Sequence, residues 1–142
     1  MSGKQGVLGG GCRCGAIRFE VRGAPVRMLN CHCRDCQQTT GAGYAPIFVV
    51  REAAFELSGS LRYWATTGGS GQRIERGFCP ECGSQLVIRL QRAPEIVAIN
   101  AASLDDPSAH RPTLDVYTGS RQPWDVLAAE TAKFSGDWRQ PG

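Results

Sequence analysis

Seven cysteines stand in three short clusters: Cys12-Arg13-Cys14, Cys31-His32-Cys33-Arg34-Asp35-Cys36 and Cys79-Pro80-Glu81-Cys82. No cysteine lies outside a cluster. Such spacings let neighbouring thiolates turn toward one point, as a tetrahedral zinc ion with sulfurs at about 2.3 Å requires. A disulfide framework would leave one thiol unpaired and would not need these spacings, so metal ligation is expected. Four sulfurs close one structural site. The remaining three are one ligand short of a second, and three protein ligands with an open fourth position is how catalytic zinc is usually held.

The sulfurs can divide in two ways. In one, Cys12, Cys14, Cys79 and Cys82 converge from distant parts of the chain, while Cys31, Cys33 and Cys36 share a second ion. In the other, the middle cluster lends two sulfurs to an outer pair and strands three thiols elsewhere. Strand-and-turn geometry favours the first, because the outer pairs sit on turns beside strands that can lie next to each other. Three thiolates around a divalent ion carry a formal charge of minus one, so a bound water there is less acidified than on a three-histidine site. Hydrolysis is therefore disfavoured. A soft, thiolate-rich zinc suits a thiol substrate, held deprotonated at the fourth position. The same negative charge predicts that this second ion is labile.

Short strands must position these turns. Ile17, Phe19 and Val21 alternate with Arg18, Glu20 and Arg22, a half-buried strand that begins just after the first cysteine pair. Ala45 to Val50 and Leu61 to Ala65 are apolar runs separated by the turn residues around Leu57-Ser58-Gly59-Ser60, and they are expected to pair as neighbours. Arg73 to Phe78 leads into the third cluster, after which Leu86, Ile88 and Leu90 alternate with Val87, Arg89 and Gln91. That cluster is a turn between two strands. Glu95 to Ile99 and Leu114 to Tyr117 complete the strand pattern. Cys33 to Thr40 and Trp124 to Ala132 are the two helical segments expected, both brief. Gly68-Gly69-Ser70-Gly71 lacks the Gly-Lys-Ser/Thr of a phosphate loop and reads as a hairpin tip.

A chain of 142 residues with 42% hydrophobic and 20% charged residues fits one globular domain with a real core. Its 18 glycines and 8 prolines suit many turns. The net charge of +3 is mild and its arginines are interspersed with acidic residues, which argues against a nucleic-acid partner. Met1 to Gly11 has no apolar run of signal-peptide length, and no stretch approaches the roughly 20 apolar residues of a membrane span. A soluble, cytoplasmic protein with no membrane partner is expected.

Three segments together resemble the glutathione-dependent formaldehyde-activating family, which also includes centromere protein V. They are Gly10-Gly-Cys-Arg-Cys-Gly-Ala-Ile17, Asn30-Cys-His-Cys-Arg-Asp-Cys-Gln-Gln-Thr-Thr-Gly41 and Phe78-Cys-Pro-Glu-Cys-Gly-Ser-Gln-Leu86. The likeness continues through Asn100 to Pro107 and Ser120 to Trp124, so that residues 8–126 form the family-type zinc domain and 127–142 a C-terminal tail. The resemblance implies a mainly β, antiparallel, tent-like zinc fold with short helices. It implies structural zinc on Cys12, Cys14, Cys79 and Cys82 and catalytic zinc on Cys31, Cys33 and Cys36. The implied activity joins glutathione, as cosubstrate, to formaldehyde, giving S-(hydroxymethyl)glutathione: formally a carbon–sulfur lyase run toward synthesis, with a detoxifying role.

The rivals are a zinc-stabilised binding module without catalysis and a glutathione-dependent enzyme acting on another electrophile. Closure of the second site by a fourth ligand such as His32, Asp35 or Asp115 would favour the binding module. His32 is expected to face away from Cys31 and Cys33 in a structural or exposed role. His110, in a loop composition, is expected to face solvent. Arg34 could pair with a glutathione carboxylate. Thr39, Thr40 and Gly41 could hold a peptide-like ligand, or they simply end a helix at Gly41. Tyr44, Phe48, Trp64 and Phe78 are read mostly as core, and Trp124 as an anchor for the C-terminal segment.

Overall fold

In the computed structural model, which describes residues 6–68 and 71–138, short strands follow one another with a single α-helix among them. They are β1 (Val7–Gly11), β2 (Arg18–Arg22), β3 (Arg27–Cys31), α1 (Arg34–Thr40), β4 (Ala45–Arg51), β5 (Phe55–Ser58), β6 (Arg62–Thr67), β7 (Arg73–Phe78), β8 (Gln85–Leu90), β9 (Ile96–Asn100), β10 (Leu114–Val116) and β11 (Ala132–Lys133). A small sheet has the order β1-β2-β5 and a large one the order β11-β10-β3-β4-β9-β8-β7-β6. Neither sheet closes on itself, so the fold is a mainly β single domain and not a barrel. Pairing is antiparallel except that β10 runs parallel to both β3 and β11.

Because strand side chains alternate between faces, the large sheet has two apolar surfaces. On one, Phe48, Val50, Val87, Val97 and Ile99 pack with Phe19, Val21 and Phe55 of the small sheet. On the other, Leu29, Cys31, Ile47, Val49 and Val116 pack with Cys36 of α1 and with Tyr117, Phe134 and Trp138. Double coverage explains why Ala45 to Val50 reads as an unbroken apolar run. Each large side chain so buried contributes about 1.5–3 kcal/mol. The strand β2, covered on one face only, keeps its alternation, with Phe19 and Val21 buried between exposed charges.

Several expectations need correction. β4 lies between β3 and β9, whereas β6 pairs with β7 at the far edge, so the two apolar runs are not neighbours. The chain between them leaves the large sheet to form β5 in the small one. No helix forms from Trp124 to Ala132: Trp124 and Val126 are 68% and 89% exposed, so the segment has no apolar face to bury, and isolated turns of helix are unstable without one. Trp64 is also exposed, on the edge strand β6, and Tyr44 is 38% exposed, while Phe48 is fully buried. His110 is half-buried instead of solvent-facing, and burial holds its imidazole pKa below the ordinary value.

Four strands escaped the sequence reading: β1, β3, β5 and β11. β1 is built on Gly9, Gly10 and Gly11, poor strand formers, yet a Cβ on Gly10 would come within 2.4 Å of the Ser103 carbonyl oxygen and 2.5 Å of the Phe19 ring. Close approach, not flexibility, is what this glycine supplies. β3 lacks a clean alternation because it is an interior strand. The hairpin between β6 and β7 is closed by the Gly68 amide donating to the Gln72 carbonyl at 2.9 Å; Gly69 and Ser70 lie outside the described residues. Toward the C-terminus, β11 extends the large sheet, and Phe134 and Trp138 cover its second face.

Candidate metal centres and the adjoining cavity

Hairpin turns deliver the outer cysteines. Cys12 and Cys14 lie between β1 and β2, Cys79 and Cys82 between β7 and β8, and each turn follows the same plan. The Cys12 amide donates to the Ile17 carbonyl at 3.1 Å and the Cys79 amide to the Ser84 carbonyl at 2.9 Å. Gly15 and Gly83 take left-handed backbone (φ 86° and 78°), a conformation that costs an L-residue energy and glycine none. Further amides point at sulfur: Ile17 at Cys12 (3.2 Å) and Glu81 at Cys79 (3.4 Å).

The four sulfurs lie within 4.8 Å of one another. Cys12 and Cys14 are 3.6 Å apart, Cys14 and Cys79 3.8 Å. Sulfurs placed around one tetrahedral zinc sit about 3.8 Å from each other, so this donor set fits the ion. The Ser84 hydroxyl and amide pull the Cys82 thiol down to about 5, favouring the thiolate a metal needs.

Cys31, Cys33 and Cys36 form the second group, again within 4.8 Å. Cys31 ends β3, and α1 starts immediately after Cys33, which serves as its N-cap: the Cys36 amide donates to the Cys33 sulfur at 3.3 Å. Hydrogen bonds from Cys31 and Cys36 drive the Cys33 thiol down to about 2. Cys31 is pushed well up by its two neighbours and by burial. Cys36, drawn down by Cys31 but pushed harder by Cys33 and burial, rises to about 11. One thiolate forms readily and the next two repel it. A divalent cation removes that repulsion, so the trio also fits zinc. No histidine or carboxylate joins this group among the described residues.

His32 points away from the sulfurs and is buried. Its Nε2 lies 2.7 Å from Asp115 Oδ1 and its Nδ1 2.5 Å from Asp125 Oδ2, so each ring nitrogen has a carboxyl partner. Asp115 also accepts from the Thr131 hydroxyl. Of the three residues named above as closing ligands, His32 and Asp115 therefore bind each other, and Asp35 lines the adjoining cavity without joining the sulfur group. Buried Gln37 supports the same turn, donating to the carbonyls of His32 (2.7 Å) and Ser120 (3.0 Å).

A cavity of about 210 Å³ adjoins the trio, lined by Cys31, Cys33, Asp35, Cys36, Arg76 and the second face of the large sheet. Arg34 does not line it; its Nη1 donates to Gln37 Oε1 at 2.6 Å. Thr39 and Thr40 turn their hydroxyls back to the helix carbonyls of Asp35 and Cys36, and Gly41 caps α1 with left-handed backbone. None of these three lines the cavity. Asp125 and Arg76 escaped the sequence reading. Arg76 had a detectable signal: on a β7 that alternates, it shares a face with Ile74 and stands opposite Ile88. A larger hollow of about 840 Å³ beside the small sheet has no cysteine in its lining, and its Arg18 is paired with Asp105 at 2.8 Å.

Comparison with known proteins agrees with this arrangement. A Halomonas elongata protein provisionally named a glutathione-dependent formaldehyde-activating enzyme is 34% identical over 104 residues, covering 70% of this chain. The match spans 66% of that relative, just under two thirds of its length. A crystal structure of a Rhodobacter sphaeroides protein superposes with a TM-score of 0.55 over 71% of this chain and 93% of that one; at 23% identity the likeness is one of fold. The family model described as glutathione-dependent formaldehyde-activating enzyme matches residues 7–120, and with both cysteine groups assembled inside that span, the chain belongs to this family.

Proposed function

We propose that the protein adds the sulfur of a thiol, glutathione, to a small aldehyde such as formaldehyde, as a zinc-dependent carbon–sulfur lyase of the S-(hydroxymethyl)glutathione synthase type. Family membership supports the substrates. The observation that carries the reading is the three-sulfur group: it is joined by no fourth ligand among the described residues and it faces a cavity. Cys12, Cys14, Cys79 and Cys82 are assigned to a structural zinc and Cys31, Cys33 and Cys36 to a catalytic one. When bound at the latter, zinc supplies a point at which a thiol is held deprotonated beside a carbonyl.

The chain's own part is positional and electrostatic. The buried His32 pair and Gln37 fix the turn that carries Cys31 and Cys33. Arg76, with Nη2 3.8 Å from the Cys36 sulfur, offsets the negative charge of the trio. Apolar side chains make up much of the cavity wall beside the sulfurs. In the addition a sulfur–carbon bond forms, the carbonyl π pair moves to oxygen, and that oxygen takes up the proton the thiol gave away. Nothing is oxidised or reduced. A cytoplasmic, reducing setting, in which thiols persist, belongs to the same reading.

Exchange spectroscopy on mixtures of formaldehyde and glutathione tests it. Wild type is expected to speed the exchange and Cys33→Ser to abolish the effect. No acceleration by wild type, or undiminished acceleration by the variant, would leave the zinc-stabilised binding module in its place.

A further inference from the structure

The cavity beside the three sulfurs has room for roughly seven water-sized groups in its 210 Å³, whereas formaldehyde has two heavy atoms. Its walls include Leu29, Ile47, Val49, Ile88, Ile96 and Ala98. This apolar stretch has no partners for the charged ends of glutathione, and burying an unpaired charge is costly; the polar side chains of Asp35, Gln72, Tyr117 and Asp137 line other parts of the cavity. The apolar stretch suits a hydrocarbon group. One cation interrupts the wall: Arg76 is 6% exposed, and its Nε and Nη1 have no hydrogen-bond partner among the described residues. A buried guanidinium with unused donors is costly unless an oxygen ligand completes it.

We propose that this cavity is the carbonyl subsite, taking an aldehyde with an apolar chain of about six carbons whose oxygen is held by Arg76. The inference rests on the thiol-addition reading and makes the electrophile larger and more apolar than formaldehyde. When the sulfur–carbon bond forms, negative charge collects on the aldehyde oxygen. A preorganised donor stabilises such charge better than water does. Arg76 is then a catalytic residue as well as a specificity element, and the protonated oxygen leaves with the adduct.

Occupancy can be read without turnover from the fluorescence of Trp138, which lines the cavity. Hexanoate, an unreactive oxyanion with the right chain, is expected to bind at least tenfold tighter than acetate. Arg76→Met, which removes the donor, and Ala98→Phe, which fills the cavity, should each weaken hexanoate binding tenfold or more. In exchange spectroscopy with glutathione, hexanal should be accelerated more than formaldehyde, and Ala98→Phe should reverse that preference. Equal binding of hexanoate and acetate, or affinity indifferent to both substitutions, overturns the subsite. Formaldehyde turnover without hexanoate binding does so while sparing the addition chemistry. Hexanoate binding with no acceleration of any aldehyde overturns the addition chemistry while sparing the subsite.

Discussion

His32 sits between two catalytic-site candidates in sequence yet works as a tie. Its ring joins Asp115 of β10 to Asp125 in the segment that follows, and all three residues are buried. Asp115→Asn leaves the imidazole with one carboxylate instead of two. Breaking a buried pair typically costs about 3–5 kcal/mol, so a large drop in thermal midpoint is expected; a change within the error of a surface substitution would contradict the tie. The same carboxylate predicts an acid limb. Burial pushes the Asp115 pKa up, but hydrogen bonds from Thr131 and His32 outweigh it and hold the group below its ordinary value. A lowered carboxylate contributes stability that is full above its unfolded value of about 4 and is lost as pH falls through the folded one. Denaturant titrations between pH 6 and pH 2 should show a shallower acid loss in Asp115→Asn than in wild type, and parallel curves would sink the assignment.

At the scale of elements, legibility follows from how many faces a strand buries. β2 was readable because one face meets the core and the other meets water, giving strict alternation. β4 was readable as a strand but not as a partner of β9, since a run buried on both faces carries no register signal. α1 was placed correctly by the cysteine spacing and by Gly41 at its end. β1 was invisible, because its glycines are chosen for contact with Ser103 and Phe19, far along the chain or across a hairpin. This contact is testable. In Gly10→Ala the new methyl meets backbone, which cannot swing aside, and destabilisation of about 1–3 kcal/mol is expected. Gly9→Ala, whose Cβ would meet the Asp105 carboxylate at 3.3 Å, should change the urea midpoint much less. Equal midpoints for the two variants would show that β1 is not packed this way.

For the whole molecule, the outer turns cross-link the small sheet to the far part of the large one, so the four-sulfur ion is expected to hold the fold and the three-sulfur ion to be dispensable for it. Structural zinc in finger peptides is worth roughly 10–16 kcal/mol, comparable with a domain's entire stability. Graded chelation should release one zinc per chain with little change in melting temperature, and release of the second should unfold the protein. Cys12→Ser and Cys79→Ser should be insoluble or unfolded and Cys33→Ser folded; three variants with equal solubility and melting temperature would refute the division. Sequence alone pointed to cysteine groups able to hold metal and favoured one division of the seven sulfurs, because one- and two-residue spacings and the turns that carry them are local properties; the fold then brings Cys12, Cys14, Cys79 and Cys82 into one group and Cys31, Cys33 and Cys36 into another. Only the tertiary structure decided what stands around the second group. The partners of His32 lie 83 and 93 residues away, and Arg76 lies 40 residues from the sulfur it faces. Strand order and register set such neighbours, through packing summed over the whole sheet, and no short stretch of sequence encodes them.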